Sequence, residues 1–399
     1  MRVAVISSRF PCANNEPFLG AELATLRPLV DRLIVAPLRP TARPLHETGG
    51  AHAVLLHALA PQTFSLACKA LARSPKASLA ALGAVLRGSG GWLVRAKNLA
   101  IFPRALALAQ RLADERIDHV HAYWLSTPAT AAFIIARVNG ITWSSSAHRW
   151  DIFERNMTAE KAASAGFIRT ISERGRSELR RQAPLQADKF VVVRLGTALA
   201  TKPVSPASAK AAGAEFHLLC AAAFRPVKGH GVLLDAFAAA HAQDASLRLT
   251  LCGEGPRQSA VRSHARMLPC SDAITFRGYV EHAQLLRELS AGTYGAVVLA
   301  SLDDGVQMME GVPSILIEAS SLGIPCIATR SGAVAELLDD ETAFLAAPGE
   351  AHSLTQAILA AANASERARR AAHAIQRARI LHDPRSRAAD LVELFGESA

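Results

Sequence analysis

Continuous apolar runs, separated by stretches of helical period, organise this chain. RVAVIS near residues 2–8, FVVVRL near 190–195 and GAVVLA near 295–300 lack polar alternation, which suits strands buried on both faces. Other strand-like runs lie near 32–37, 119–124, 141–147 and 167–172, and in the second half near 217–223, 247–252, 273–277 and 325–329. Helical stretches fall between them. Strands that alternate with helices predict parallel sheets joined by right-handed crossovers. Residues 201–215, TKPVSPASAKAAGAE, are rich in Pro, Ser, Ala and Gly and have no apolar period, so they are expected to link two domains. The predicted fold class is α/β, with two doubly wound, Rossmann-like parallel-sheet domains at residues 1–200 and 201–383. A chain of 399 residues is long enough for both.

Half of the residues are hydrophobic and a fifth are charged, which supplies large cores and argues against global disorder. The six cysteines (Cys12, Cys68, Cys220, Cys252, Cys270, Cys326) form no C-x-x-C pair and no metal spacing. Cys220, Cys252 and Cys326 lie in apolar runs and read as small hydrophobes. A reducing cytoplasm is the simplest expectation. MRVAVISS runs directly into a strand pattern, and no stretch reaches 18 uninterrupted apolar residues, so neither a signal peptide nor a spanning helix is expected.

Charge is unevenly placed. Residues 1–198 carry 26 Lys and Arg against 13 Asp and Glu, a balance of +13, whereas the remainder carries 18 against 21, a balance of −3. No acid occurs between Thr48 and Ala113, yet Lys69, Arg73, Lys76, Arg87, Arg95, Lys97, Arg104 and Arg111 do. Leucines, alanines, Phe64, Trp92 and Phe102 stand among them at roughly helical spacing. Basic amphipathic helices of this kind lie on anionic membrane surfaces, so a peripheral position on the inner face of the plasma membrane is expected. Drift in an arginine-rich proteome explains the same composition. Nucleic acid is not an expected partner, because no recognition helix, zinc or aromatic-stacking motif accompanies the charge.

The most informative stretch for chemistry is EGVPSILIEA, bracketed by Glu310 and Glu318. Gly311 and Pro313 read as a loop opening into a helix, with proline at the first helical position. Free N–H groups near Ser314 and Ile315 would form an anion site. Carboxylates accept hydrogen bonds from hydroxyls, so a ligand carrying hydroxyls and phosphate, such as a nucleotide sugar, suits both features. An amphipathic helix with solvated glutamates accounts for the spacing as well. Glycine-rich turns follow the strand-like runs at FRPVKG, LCGEG and FRG, where ligands of open parallel sheets bind. LCGEG is not the dinucleotide fingerprint, since Pro256 and Arg257 stand where a third glycine is needed.

The stretch resembles the signature of family-4 retaining glycosyltransferases of the GT-B fold, carried by Glu310, Glu318, Gly323, Pro325, Gly332 and Glu336. It is similar to the exopolysaccharide branch of colanic-acid-like transferases, with an N-terminal mark at Phe10, Pro11, Glu16, Phe18 and Glu22 and a second at AHRWDI, Ala147 to Ile152. The resemblance implies two domains facing a cleft, with a final helix from Pro384 (residues 384–399) returning to the first domain. It implies donor contacts from the loop of Gly311 and Val312, from Ser314 and Ile315, and from Gly253. Phe276 and Arg277 would hold the base and Glu318 the ribose; Glu310 would meet the transferred sugar and Lys228 the diphosphate. The usual arginine five residues before that lysine is Ala223 here, and Arg225 is the nearby substitute. His148 would meet the sugar from the first domain, Asp151 either orients it or caps the following helix, and Glu16, Ser126 and Thr127 are acceptor-side candidates. No metal or other cofactor is expected; Asp303 and Asp304 read as loop-shaping.

These readings combine into a retaining glycosyltransferase that moves a sugar from a UDP- or GDP-sugar to a polyprenyl-linked oligosaccharide or other saccharide acceptor in surface polysaccharide synthesis. A GT-B nucleotide-sugar epimerase and a non-catalytic nucleotide-sugar-binding protein, the latter prompted by Ala223, remain open at this point.

Overall fold

In a computed structural model of the chain, the residues described are 1–12, 16–41, 44–197, 199–200, 215–305 and 310–398, without the side chains of 17 and 18. They form two compact units, one of Met1–Gly196 with Pro384–Ala399, the other of Thr197–Asp383. The expected linker lies, apart from Glu215, outside the described residues.

The first unit runs β1 (Arg2–Ser7), α1 (Pro17–Leu26), β2 (Arg32–Pro37), β3 (His52–Ala53), α2 (Pro61–Arg73), α3 (Pro75–Arg87), α4 (Trp92–Asp114), β4 (His119–Ala122), α5 (Thr127–Asn139), β5 (Thr142–Ala147), α6 (Arg149–Glu154), α7 (Thr158–Ser164), β6 (Ile168–Thr170), α8 (Glu173–Gln182) and β7 (Phe190–Val192). Its seven strands are parallel in the order β3-β2-β1-β4-β5-β6-β7. Residues of β1 alternate between two cores: Val3 and Val5 face one, Ala4 and Ile6 the other. That double burial is why RVAVIS has no polar positions.

The second unit runs β8 (Phe216–Ala221), α9 (His230–His241), β9 (Leu247–Cys252), α10 (Gln258–Arg266), β10 (Ile274–Gly278), α11 (His282–Ser290), β11 (Ala296–Leu299), α12 (Ser314–Leu322), β12 (Cys326–Thr329), α13 (Val334–Leu337), β13 (Phe344–Ala346), α14 (Ala351–Ala361) and α15 (Ala364–His382). Six parallel strands take the order β10-β9-β8-β11-β12-β13. The order reverses between β8 and β11, and crevices at such a switch point take ligands. The last helix, α16 (Pro384–Glu397), belongs to the first unit and buries Ala388, Leu391 and Phe395 there.

The two edge strands β3 and β13 were not expected from the pattern. With two and three residues they are too short to show a period. The fourth strand stops at Ala122, so Tyr123 and Trp124 lie beyond it rather than in it. Helix α12 starts at Ser314, which makes Pro313 its cap in extended conformation (φ −76°, ψ 117°) and not its first helical residue.

Candidate functional site

In the second unit the loop after β8 is laced to its neighbours. The Leu302 N–H donates to Val227 O at 2.8 Å. Gly229 has φ +61°, and a Cβ there would lie 1.9 Å from Ala300 O. Only glycine permits that approach, and it sets Lys228 against the end of β11. Lys228 Nζ meets Glu310 Oε2 at 2.5 Å although 82 residues separate them. The same oxygen accepts from Ser301 Oγ at 2.8 Å, and Glu310 Oε1 from the Gly311 N–H at 3.0 Å. Gly332 (φ +56°) locks the backbone of Glu310, since a Cβ there would sit 1.9 Å from Glu310 O. Glu310 therefore occupies a loop and not a helix, with its carboxylate aimed by a cation, a hydroxyl and its own backbone.

Glu318 projects from α12 and is 5% exposed. His282, at the start of α11, meets its Oε1 at 3.0 Å. The Glu318 carboxylate raises the His282 pKa above its ordinary value through that hydrogen bond. The other oxygen, Oε2, is buried without a hydrogen-bond partner among the described residues. At the head of α12 the Leu316 N–H closes onto Pro313 O at 3.1 Å. Ser314 and Ile315 are first-turn residues, whose N–H groups have no intrahelical acceptor. Val312 packs against the core while Gly311 faces open space.

The remaining donor-side candidates are placed less uniformly. Gly253 (φ +131°) presses on Ala222 O and donates its N–H to Gly278 O at 2.7 Å, tying together the ends of β8, β9 and β10. Phe276 stacks near Phe224 with Arg262 above its ring. The Arg277 guanidinium is engaged by Glu288 and by Tyr294 Oη at 2.9 Å, so its backbone rather than its side chain is left for a base. Arg225 is exposed, has no side-chain partner among the described residues, and lines a pocket of about 280 Å³ together with Arg257 and His264. Lys228 is not part of that lining.

In the first unit His148 ends β5 and caps α6. It is nearly buried between the rings of Tyr123 (5.3 Å) and Trp124 (4.5 Å). Burial first, then the charge of Arg169, pushes its pKa down to about 3, so the ring is neutral. Asp151 accepts the His148 N–H and the Leu125 N–H, both at 2.6 Å. Burial raises its carboxyl to about 7. Asp151 thus ties the ends of β4 and β5 by backbone contacts. Glu16 is fully buried and accepts the N–H groups of Arg9 (2.9 Å) and Phe10 (2.7 Å) and the Trp124 indole. Ser126 and Thr127 open α5, and Lys161, which the motif reading missed, donates to Leu125 O (2.6 Å) and Ser126 O (2.9 Å). Tyr123, Trp124, Arg169 and His282 also escaped notice. Their only sequence signal is position: next to a strand end or at the first turn of a helix.

Helices α2 to α4 present exposed apolar side chains, Phe64, Leu71, Leu79, Leu86 and Leu93, with Trp92 at 77%. No helix among the described residues is long and apolar enough to cross a membrane.

Comparison with known proteins matches residues 202–378, somewhat less than half of the chain, to the family described as glycosyl transferases group 1. A colanic acid biosynthesis glycosyltransferase, WcaL of Escherichia coli K12, described as putative, is 25% identical over 174 residues, 43% of this chain and 42% of that protein. The putative glycosyltransferase EpsF of Bacillus subtilis 168 is 33% identical over 112 residues, 28% of this chain and 26% of that one. The chain thus matches less than half the length of these curated relatives. Among solved structures, Anabaena Alr3699/HepE in complex with UDP and glucose superposes with a TM-score of 0.73 at 16% identity, covering 99% of this chain and all of that one. The lipopolysaccharide outer core galactosyltransferase WaaB superposes at 0.72 and 13% identity over both chains in full. The fold is GT-B.

Proposed function

With residues 202–378 a glycosyl transferases group 1 domain in a chain of the GT-B fold, we propose that the protein is a retaining, metal-independent glycosyltransferase. It moves a sugar from a nucleotide-sugar donor, UDP-linked before GDP-linked, to a lipid-linked oligosaccharide or other saccharide in surface polysaccharide synthesis. The observation that carries this reading is the buried Oε2 of Glu318, which has no hydrogen-bond partner among the described residues, on the helix whose first turn is open. A buried carboxylate oxygen without a donor is costly, and ribose hydroxyls supply donors. Complexes of HepE with UDP and with glucose support UDP as the first nucleotide to try.

In this reading Glu318 holds the ribose and the α12 start holds the diphosphate. Lys228, drawn from Glu310 toward the phosphates, stabilises charge on the leaving group. Glu310 binds hydroxyls of the transferred sugar. The bond from the anomeric carbon to the phosphate oxygen breaks as the acceptor oxygen bonds to the same face. The acceptor proton passes to the departing diphosphate oxygen.

The test is nucleoside diphosphate release from UDP-glucose, UDP-galactose and GDP-mannose, with and without a polyprenyl-diphosphate-linked oligosaccharide, in buffer containing EDTA. Acceptor-dependent release is expected to survive EDTA and to fall by about 10²- to 10³-fold in Lys228→Ala. Release that ignores the acceptor, or requires a divalent ion, sinks the proposal. The basic first unit would place the enzyme on an anionic bilayer, where such an acceptor resides.

A further inference from the structure

Two buried glutamates of the first unit serve neither donor nor solvent. Glu16 is 0% and Glu22 7% exposed, and they lie six positions apart at the start of α1. Buried carboxylates persist only with strong partners. The partners here converge on one dipeptide. Glu22 accepts the hydroxyl of Tyr123 on one oxygen and the Arg169 guanidinium on the other. Glu16 accepts the indole N–H of Trp124. Tyr123 and Trp124 are the residues whose rings flank His148.

The second anchor of each carboxylate runs to a different part of the sheet. Glu16 also holds the N–H groups of Arg9 and Phe10, just beyond β1. Arg169, on β6, donates from Nε to Val193 O at 2.8 Å and from Nη2 to Arg194 O at 3.1 Å. Its Nη1 reaches Ser146 Oγ on β5 at 3.3 Å, two residues before His148. A loop aromatic normally samples several rotamers. These two are each pinned at the polar end of the ring, which leaves their apolar faces to pack on the imidazole.

We propose that Glu16 and Glu22 are positioning residues that fix His148 through Tyr123 and Trp124. The proposal rests on the reading that His148 touches the transferred sugar, and it assigns a task to the two glutamates of the N-terminal mark. It replaces the expected acceptor contact of Glu16 with a buried structural grip. Such a seat matters because a misplacement of about 1 Å in a reacting site costs about 10²-fold in rate.

Tyr123→Phe and Trp124→Phe test it, since each keeps an aromatic ring and removes one tether. The first readout is the proton NMR shift of the His148 ring, assigned by its absence in His148→Asn. Two flanking rings displace that signal in the wild-type protein, and each variant is expected to move it toward the unperturbed histidine position. The second is turnover of whichever of the three donors gives acceptor-dependent release: kcat should fall about 10- to 100-fold with donor KM within about twofold. Glu22→Gln should behave like Tyr123→Phe, and Glu22→Ala should be worse. An unchanged ring shift in both tether variants overturns the proposal whatever turnover does. A shifted ring with unchanged turnover overturns the catalytic purpose of the seat and, separately, the assignment of His148 to the sugar.

Discussion

At the scale of single residues, Glu318 is the most exacting position. Its carboxylate is buried, holds an exposed imidazole on one oxygen and has no partner among the described residues on the other. Glu318→Ala removes the His282 contact and the proposed ribose contact, and hydrogen bonds to a charged group are worth about 1.5–3 kcal/mol. UDP affinity by calorimetry should therefore fall about 10- to 100-fold, and unchanged affinity would exclude the ribose role. Loss of the carboxylate should also return His282 toward its ordinary pKa. Because that pKa is raised in the folded state, the pair's contribution is complete in mild acid and fades as pH rises through the raised value. Lys228, Glu310, Glu318 and His148 were singled out in the sequence because their motifs have fixed spacing. The buried grip of Glu16 was not read there, whereas the capping of α6 by Asp151, one of its two expected roles, is found. Glu16 is spent on backbone N–H groups and an indole that only the folded chain brings near, and no spacing rule reports burial.

Among the elements, β4 and β5 carry the least expected feature. His119 bonds Thr142 (2.8 Å) and Ser144 (2.7 Å), and His121 bonds Ser144 (2.8 Å) and Ser146 (2.9 Å). This is a polar ladder laid across two buried strands. Phe395 of α16 covers both imidazoles, at 4.7 Å and 5.3 Å. The alternation was visible as HVHA and TWSSSA, but read as strand and nothing more; a ladder needs the register that pairs His121 with Ser144. Burial lowers His119 to about 3 and His121 well below its ordinary value, as it does His148. The sign is fixed by linkage. These rings stay neutral when folded, while the unfolded chain takes up protons below about pH 6.5. Stability should hold above that pH and drop as pH falls toward 3, by about 2 kcal/mol for each such ring at pH 5. Urea midpoints measured at pH 7 and pH 5 check this, and His119→Gln should flatten the dependence. Equal midpoints at both values would refute it.

For the whole molecule the question is why so much positive charge and exposed apolar surface share one unit. The charge asymmetry could be counted from the sequence, since it needs no geometry. That Phe64, Leu79, Leu86 and Trp92 stand exposed on the same three helices could not, because an amphipathic period does not say which face is covered. Apolar exposure of this kind is expected at an interaction surface, and basic residues on the same helices would favour an anionic one. Each cation near such a bilayer contributes about 1 kcal/mol. Of Lys76, Arg87, Arg95 and Lys97, only Lys97 has an ion-pair partner among the described residues, Glu154 at 2.9 Å. Lys76, Arg87, Arg95 and Lys97 changed together to Glu should abolish sedimentation with vesicles of phosphatidylglycerol and phosphatidylcholine, while the wild type should release gradually as salt rises. Trp92→Ala should weaken the binding and leave its salt dependence intact, because it removes buried apolar area and no charge. Thermal unfolding of both variants should stay near wild type, since these side chains are exposed. Persistent, salt-insensitive sedimentation of the reversed protein would remove the bilayer as the partner of this face, and leave the proposed donor site of the second unit untouched by the result.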